Sequence, residues 1–437
     1  MGSEASNLQV IAAVVVFVLA YAFIISEKVN RTLIALAGAA VIIFFGVIEI
    51  HSVFVEHMEW GTIVLLIGMM ILVGITNKSG VFQYAAVRSA KMAKGEPMKI
   101  LIILSILTAV GSAFLDNVTT VLLVVPVTFS ITRILGVNPI PFLISEILFS
   151  NIGGTATLIG DPPNIMIGAA TGLSFNAFLF NLGPIVIVIG AVTLVILYFI
   201  YRGQMKADES KQAELMALDE NEFIRDASLM KKSLVVLSAT ILAFVLHSLI
   251  GIEAPAIAMS GATCLMLIGV KENDFEEVFH SVEWGTIFFF AGLFTLVGGL
   301  VEVGVIEYLA SGALEITGGD LTIASIMILW VSGIASATID NIPYVATMIP
   351  LIQDMIHGME LEPGSHQANI LWWSLALGAC LGGNGTLIGA SANVIVAGMA
   401  SKEGNGFTYM DFLKIGAPVT LVSLILSNIY LYLRYLI

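Results

Sequence analysis

Charge is what this sequence has least of: Asp, Glu, Lys and Arg make up 11% of its 437 residues, while 58% are hydrophobic and the mean hydropathy is +0.99. A soluble chain of this length is about a quarter charged, because polar side chains must cover its surface. A water-soluble globule is therefore excluded, and a polytopic membrane protein solvated by lipid remains. Basic residues are scarcer than acidic ones, 18 against 32, for a formal charge of −14. With that balance and no basic patch, nucleic acid is not expected as a partner. Cysteine is nearly absent. Cys264 and Cys380 lie far apart in apolar runs, so no disulfide framework or zinc spacing can be built from them, and both read as small buried apolar residues. No Ser-His-Asp set, phosphate loop or redox motif stands in a suitable context, so neither an embedded enzyme nor a cofactor is expected.

Long apolar runs are what the chain has instead. They lie near 8–26, 31–50, 60–77, 98–133, 141–172 and 178–201, then near 233–250, 255–270, 284–302, 323–354, 368–400 and 411–436. The first lacks a basic leader and has the length of a full span, so it reads as a transmembrane helix rather than a secretory signal. Between the two sets, residues 202–232 are charged and helix-compatible, and read as a solvated linker.

The two sets repeat each other. Glu59-Trp60-Gly61-Thr62-Ile63 matches Glu283-Trp284-Gly285-Thr286-Ile287, and Asp116-Asn117 with Pro126 matches Asp340-Asn341 with Pro350, all 224 apart. GGTATLIGDPPN at 153–164 matches GGNGTLIGASAN at 382–393, 229 apart. Residues 8–201 and 233–436 are therefore a duplicated unit. The runs at 98–133 and 323–354 are too long for one span and carry Asp-Asn at the middle, which suits a re-entrant hairpin of two short helices. The runs at 141–172 and 368–400 are read as helices broken at their glycine loops. The predicted fold is an all-α polytopic membrane protein of two repeats, each with five transmembrane helices plus one re-entrant hairpin. Five crossings are odd, so the repeats are inverted. In that topology 17 of the 18 basic residues fall on one side and Arg434 alone on the other. The basic side, with the linker, is cytoplasmic and both termini are outside.

Backbone that leaves the helix at membrane depth is tolerated only where it lines a cavity or holds a ligand. Four such interruptions related by symmetry point to one central site. Asp116 and Asp340 stand at the hairpin tips and Asp161 in the first glycine loop, where its repeat partner is Ala390. The expected core thus holds three carboxylates and no Lys or Arg. Two unpaired carboxylates near the midplane cost roughly 5 to 7 kcal/mol, so they must be protonated, cation-bound or wet. Each Asp also suits a helix N-cap, though capping alone does not explain why both tips have one. Around them Asn117, Thr119, Thr120, Asn341, Thr155, Thr157 and Thr386, with the freed carbonyls near Gly153, Gly154, Gly382 and Gly383, offer hard oxygen ligands for a sodium-sized ion or a neutral polyol-like solute. Asn164, Asn384, Ser391 and Asn393, in the same loops, complete the candidate binding set. Pro162-Pro163 is preset for a first helical turn, whose free N–H groups also favour an anion. His247 reads as an interfacial or packed histidine, and Trp60, Trp284, Trp372 and Trp373 as anchors at helix ends.

FLDNVTTVLLVVP, NIGGTATLIGDPPNIMIG, TIDNIPYVATMIP and GGNGTLIGASANVIVAG resemble the motifs of the ion transporter superfamily, most closely the ArsB/NhaD branch that includes the melanosomal P protein. The resemblance spans nearly the whole chain. It implies an elevator-like secondary transporter whose mobile part is built from the two hairpins and the two broken helices. It also implies residence in a prokaryotic inner or plasma membrane, a homodimer, and, for an ArsB-like member, a cytoplasmic ATPase subunit as partner. The related dicarboxylate carriers have Ser where this chain has Asp116 and Asp340, and two added carboxylates disfavour a dianion. The expected activity is efflux of arsenite or antimonite coupled to H+, with Asp116, Asp340 and Asp161 as the coupling carboxylates. Exchange of Na+ for H+ comes second, and anion transport third.

Overall fold

The structure, a computed structural model, describes residues 6–26 and 28–437; Glu27, in the first of the basic loops, and residues 1–5 lie outside it. Helix is the regular structure throughout. Counting helices of nine residues or more, the first half holds α1 (Asn7–Ser26), α2 (Arg31–Phe44), α3 (Trp60–Lys78), α4 (Val81–Met92), α5 (Pro97–Leu115), α6 (Asn117–Leu135), α7 (Ile140–Gly154), α8 (Pro162–Thr171) and α9 (Phe175–Tyr201). The linker contains α10 (Glu209–Ala217). The second half repeats the order as α11 (Ala227–Ile250), α12 (Ala254–Gly269), α13 (Trp284–Glu302), α14 (Val305–Thr317), α15 (Leu321–Thr338), α16 (Asn341–Gly358), α17 (His366–Gly382), α18 (Ser391–Lys402) and α19 (Tyr409–Leu431). Each element of the first half thus has its counterpart ten helices later. The fold is an all-α polytopic membrane protein, with nine helices among the described residues long and apolar enough to cross a membrane.

Three expectations change. The segment 78–99, expected as a loop, contains α4, and its counterpart in the second half is α14. Both are amphipathic, burying Ala86, Val87 and Ala90 or Ile306 and Ala310, while Arg88 or Glu315 stays on the opposite face. Their charge hid them from a search for apolar runs. The run 31–50 yields a helix of only 14 residues, because the chain turns at Gly46 with φ +64°. The hairpin arms are not short either: α5 and α6 have 19 residues each and α15 and α16 have 18, so length alone would let them cross.

Packing interlocks the halves. Helix α2 packs against α13, and reciprocally α3 packs against α12. Gly292 lies over the backbone of Ala35 and Gly68 over that of Ala258, so these crossings bring main chain against main chain. Within each half the first hairpin arm packs on the broken helix, α5 on α7 and α15 on α17. Trp372 and Trp373, expected as interfacial anchors, lie inside α17 and are each 3% exposed. Trp60 and Trp284 do start helices and are half-exposed. Of the two cysteines, Cys380 is buried as expected and Cys264 is exposed.

Candidate functional site

Both hairpins turn at their Asp. Asp116 separates α5 from α6, and its carboxylate accepts from Thr119 N (2.8 Å) and Thr119 Oγ1 (2.6 Å). The Thr120 hydroxyl donates to the Asp116 carbonyl at 2.7 Å. Asp340 caps α16 through Ile342 N at 3.1 Å. The capping role is therefore real at both tips. The tips differ in backbone: Asp116 has φ +113° and ψ 158°, a region costly for any residue with a Cβ, whereas Asp340 has φ −48° and ψ 133°.

The breaks between α7 and α8 and between α17 and α18 are stapled by asparagine. Asn164 Nδ2 donates to the carbonyls of Thr155 (3.1 Å) and Thr157 (2.8 Å), and Asn393 Nδ2 to those of Gly383 (2.7 Å) and Thr386 (2.9 Å). Side-chain amides thus satisfy backbone that the helix interruption would leave bare. The hydroxyls do similar work: Thr155 donates to Asn151 O at 2.7 Å, Thr157 to Ala113 O, and Thr386 to Ala337 O at 2.6 Å. The last two tie each break to its hairpin. Glycine is required where these layers meet, since a Cβ on Gly153 would stand 2.1 Å from Ala109 O and one on Gly382 would stand 2.6 Å from Gly333 O. Gly154 and Gly383 are buried in the same breaks.

The two halves converge on Asp161. Its Oδ1 accepts from Asn117 Nδ2 of the first tip at 3.2 Å and from Asn341 Nδ2 of the second at 3.4 Å. The residue is fully buried, and its Oδ2 has no partner. Asn117 also donates to Asn151 Oδ1 at 3.0 Å, and Asn151 Nδ2 reaches across to Asn384 Oδ1 (2.9 Å) and Asn393 Oδ1 (3.0 Å). Asn384 closes the network on the carbonyl of Leu148 at 3.1 Å. One carboxylate and a chain of carboxamides therefore form a continuous buried polar network through both repeats, able to receive a small cation at the free oxygen.

Sequence reasoning missed two members. Asn151 sits on α7 just before the glycine motif; 229 residues on, its counterpart is Cys380. Cys380 was read as packing, yet its thiol lies 3.5 Å from Asn164 Oδ1, inside the network. Asn151 and Cys380, like Asp161 and Ala390, are positions where the repeats part company, so comparing the repeats for differences would have pointed to them.

A cation also reaches one of the hairpin tips, where none was expected beside the carboxylates. Arg31, the first residue of α2, places Nη1 2.6 Å from Asp340 Oδ2 and 2.7 Å from Ser391 Oγ. Its guanidinium lies over Phe289 of α13 at 4.9 Å. Arg31 was counted only as a basic loop residue because it begins a helix at the membrane edge. The three groups line a cleft of about 350 Å³ together with Lys28 and Val394. A cleft of about 390 Å³ occupies the repeat-related place, where His247 and Ala254 stand for Ile24 and Arg31; no hairpin-tip Asp lines it. His247 is packed as expected, its Nε2 accepting from Phe175 N at 3.1 Å. Asp116 and Asp340 are thus unlike: one is self-contained at a strained turn, the other is ion-paired in an open cleft.

Comparison with known proteins agrees with this architecture. The citrate transporter family, CitMHS, matches residues 21–378. An uncharacterized transporter of Mycobacterium tuberculosis is 45% identical over 430 residues, 98% of this chain and 99% of its own length. The human P protein is 35% identical, matching 98% of this chain, which spans 60% of that longer protein. Among solved structures, the YdaH transporter of Alcanivorax borkumensis superposes with a TM-score of 0.62 at 13% identity, over 98% of this chain and 97% of that one. MtrF of Neisseria gonorrhoeae, from a class described as antimetabolite efflux pumps, gives 0.59 at 12% identity, over 100% and 96%. These two share the fold alone. The resemblance to the ion transporter superfamily, P protein included, therefore holds, and this chain is a membrane transporter belonging to the CitMHS citrate transporter family.

Proposed function

We propose that this transporter couples solute export to the inward movement of a cation, with Asp161 as the group that binds and releases the coupling H+ or Na+. One observation carries the reading: both hairpin tips donate to one oxygen of Asp161, and its other oxygen is buried without a partner. A group so placed is stable only when a proton or a cation occupies that oxygen. Its occupancy therefore decides whether the two tips close on the centre. The mobile part comprises the hairpins α5–α6 and α15–α16 with the broken helices α7–α8 and α17–α18, moving against the remaining helices as an elevator. With five crossings per half the repeats are inverted. The side with 17 of the 18 basic residues is cytoplasmic, so the cleft at Lys28 and Arg31 is an inward-facing vestibule. The cargo is arsenite or antimonite, whose neutral hydroxide suits a site of carboxamides, hydroxyls and one carboxyl. A homodimer in the plasma membrane and a cytoplasmic ATPase subunit belong to the same reading.

Arg31 favours a second reading. Its guanidinium beside the vestibule partly cancels the repulsion that Asp340 would exert on an anion, and the family is described by citrate.

The test is flux in proteoliposomes under an imposed pH gradient, following arsenite, citrate and sodium-dependent proton movement in one preparation. Arsenite flux that stops in Asp161→Asn supports the first reading. Collapse of the gradient by sodium without arsenite flux makes the protein an antiporter, and citrate flux lost in Arg31→Met makes it an anion carrier. Coupled arsenite flux that survives in Asp161→Asn refutes the role of that carboxylate.

A further inference from the structure

One buried carboxyl has no part in this cycle. Glu146 lies within α7 and is 1% exposed. Its Oε1 accepts a hydrogen bond from Thr128 Oγ1 of α6, while Oε2 has no partner. No described cation pairs with it. Among the helices packed on α7, α5 carries Lys99, which is exposed and bound to Glu96, and α6 carries Arg133, which is exposed and bound to Glu403. Helix α18 ends at the exposed Lys402, α17 begins at the exposed His366 and carries the buried Cys380, and α9 ends at Tyr201, whose buried hydroxyl is itself unpartnered. A carboxylate with a single hydrogen bond and no counter-ion at such a place forfeits several kcal/mol, and a bound proton removes that penalty.

The repeat provides an internal control. Glu146 corresponds to Leu375 at the 229 offset, and Thr128 corresponds to Ile352 at the 224 offset. Both replacements are fully buried. Where the second half packs its hairpin on its broken helix, two apolar side chains take the place of the acid and the hydroxyl together. Closing this contact therefore requires no polar group, and the Glu146–Thr128 pair adds an ionisable one. From Glu146, α7 runs five residues to Asn151 of the central network, about 7.5 Å along the axis.

We infer that Glu146, held by Thr128, is a proton-binding site of the mobile part separate from Asp161. Its role in coupling rests on the transport reading above, but its occupancy does not. With the proton on Glu146 the pair is neutral and crosses the bilayer with the mobile part. Released, the proton leaves a carboxylate that Thr128 alone stabilises.

The test uses the full-length protein in lipid. Difference infrared spectra record the carbonyl band of protonated carboxylic acids across a pH titration, and dicyclohexylcarbodiimide, which couples to protonated carboxyls in apolar surroundings, is mapped by mass spectrometry. Expected near neutral pH is an acid band and an adduct at Glu146, both lost in Glu146→Gln and both kept in Asp161→Asn. Thr128→Val, removing the donor to the carboxylate, should carry half-labelling about tenfold lower in proton concentration. The double variant Thr128→Ile with Glu146→Leu, copied from the second repeat, should fold and insert normally while lacking band and adduct. An acid band identical in wild type and Glu146→Gln at every pH overturns the proposal, since Glu146 then carries no proton. Absence of any flux in wild type would sink the transport reading and leave this result standing. If flux is found, Glu146→Gln should lower the proton-to-cargo ratio, whereas Asp161→Asn should uncouple it.

Discussion

Breaking the Arg31–Asp340 pair is the sharpest perturbation available, because it joins α2 to a hairpin tip 309 residues away. The ions approach to 2.6 Å with side chains 32% and 13% exposed. Fully exposed pairs contribute about 0 to 1 kcal/mol, and removing one partner of a buried pair costs about 3 to 5 kcal/mol. A pair open to a wet cleft on one side falls between, at about 2 kcal/mol. If the mobile part moves away from α2 during the cycle, that energy belongs to one conformer only, and its loss shifts the balance of conformers about thirtyfold. The remaining contacts make the single variants distinguishable. Arg31→Met leaves Asp340 with Ser391 at 3.0 Å, whereas Asp340→Asn leaves Arg31 with Ser391 and the face of Phe289. Pulsed EPR distances between labels at exposed Leu19 and Val394, in a Cys264→Ser background, report the populations. Each single variant should depopulate the conformer described here, and the double variant should lie nearer to wild type than the sum of the singles. A shift under threefold in both singles, or strict additivity in the double, refutes the idea that this pair ties the two parts together.

Two other predictions concern the network and the linker. Asn151→Leu takes one hydrogen bond each from Asn117, Asn384 and Asn393, leaving the amide oxygens of the last two without the donor they have here, and should cost about 3 kcal/mol in thermal or denaturant stability. Cys380→Ala, removing one weak thiol contact, should cost less than about 1.5 kcal/mol; equal losses would mean that Asn151 is not the hub. Lys91 of α4 bonds both Glu220 and the carbonyl of Leu218, at 2.7 Å for the latter, and so docks the linker. That hydrogen bond holds the Glu220 carboxyl below its ordinary value of 4.5. A lowered folded value means the docking contribution is complete above 4.5 and lost as pH falls through the lowered value. Proteolysis of the linker should therefore accelerate below that pH, and Glu220→Gln should cleave faster already at neutral pH. No effect of either would show that the linker is held elsewhere.

Much of the fold was legible because the repeat correlates distant residues. Asp116 and Asp340, or Gly153 and Gly382, identify one another at fixed offsets, and each lies at the turn or break expected of it. Apolar periodicity failed where helices are amphipathic, as in α4 and α14, and where a turn cut an apolar run short, as after α2. At the site, the polar residues named from the motifs lie together in the structure, but their division of labour was not legible. Asn164 and Asn393 spend their amide protons on backbone carbonyls, while Asn117 and Asn341 spend theirs on Asp161. That distinction depends on which side of a break the side chain faces, which spacing does not encode. Arg31 escaped notice because a basic residue at a helix start is what the positive-inside rule places at any membrane edge. Glu146 was within reach, as the one charged residue between Arg133 and Asp161, but it lies outside the paired motifs that drew attention.

The reciprocal packing of α2 on α13 and of α3 on α12 has a consequence for biogenesis. From Arg31 to Trp284 is 284 − 31 = 253 residues, which a ribosome takes roughly 10 to 50 s to deliver. For that interval α2, a helix of 14 residues, rests in lipid without the surface it was shaped to meet, and for a shorter one, until α12 is delivered, so do the glycine faces of α3. The first half is then an unfinished body rather than a folded domain awaiting a twin. It is exposed to membrane quality control until the second half arrives, so a chain truncated in the linker should be degraded, and separately encoded halves should survive only when made together.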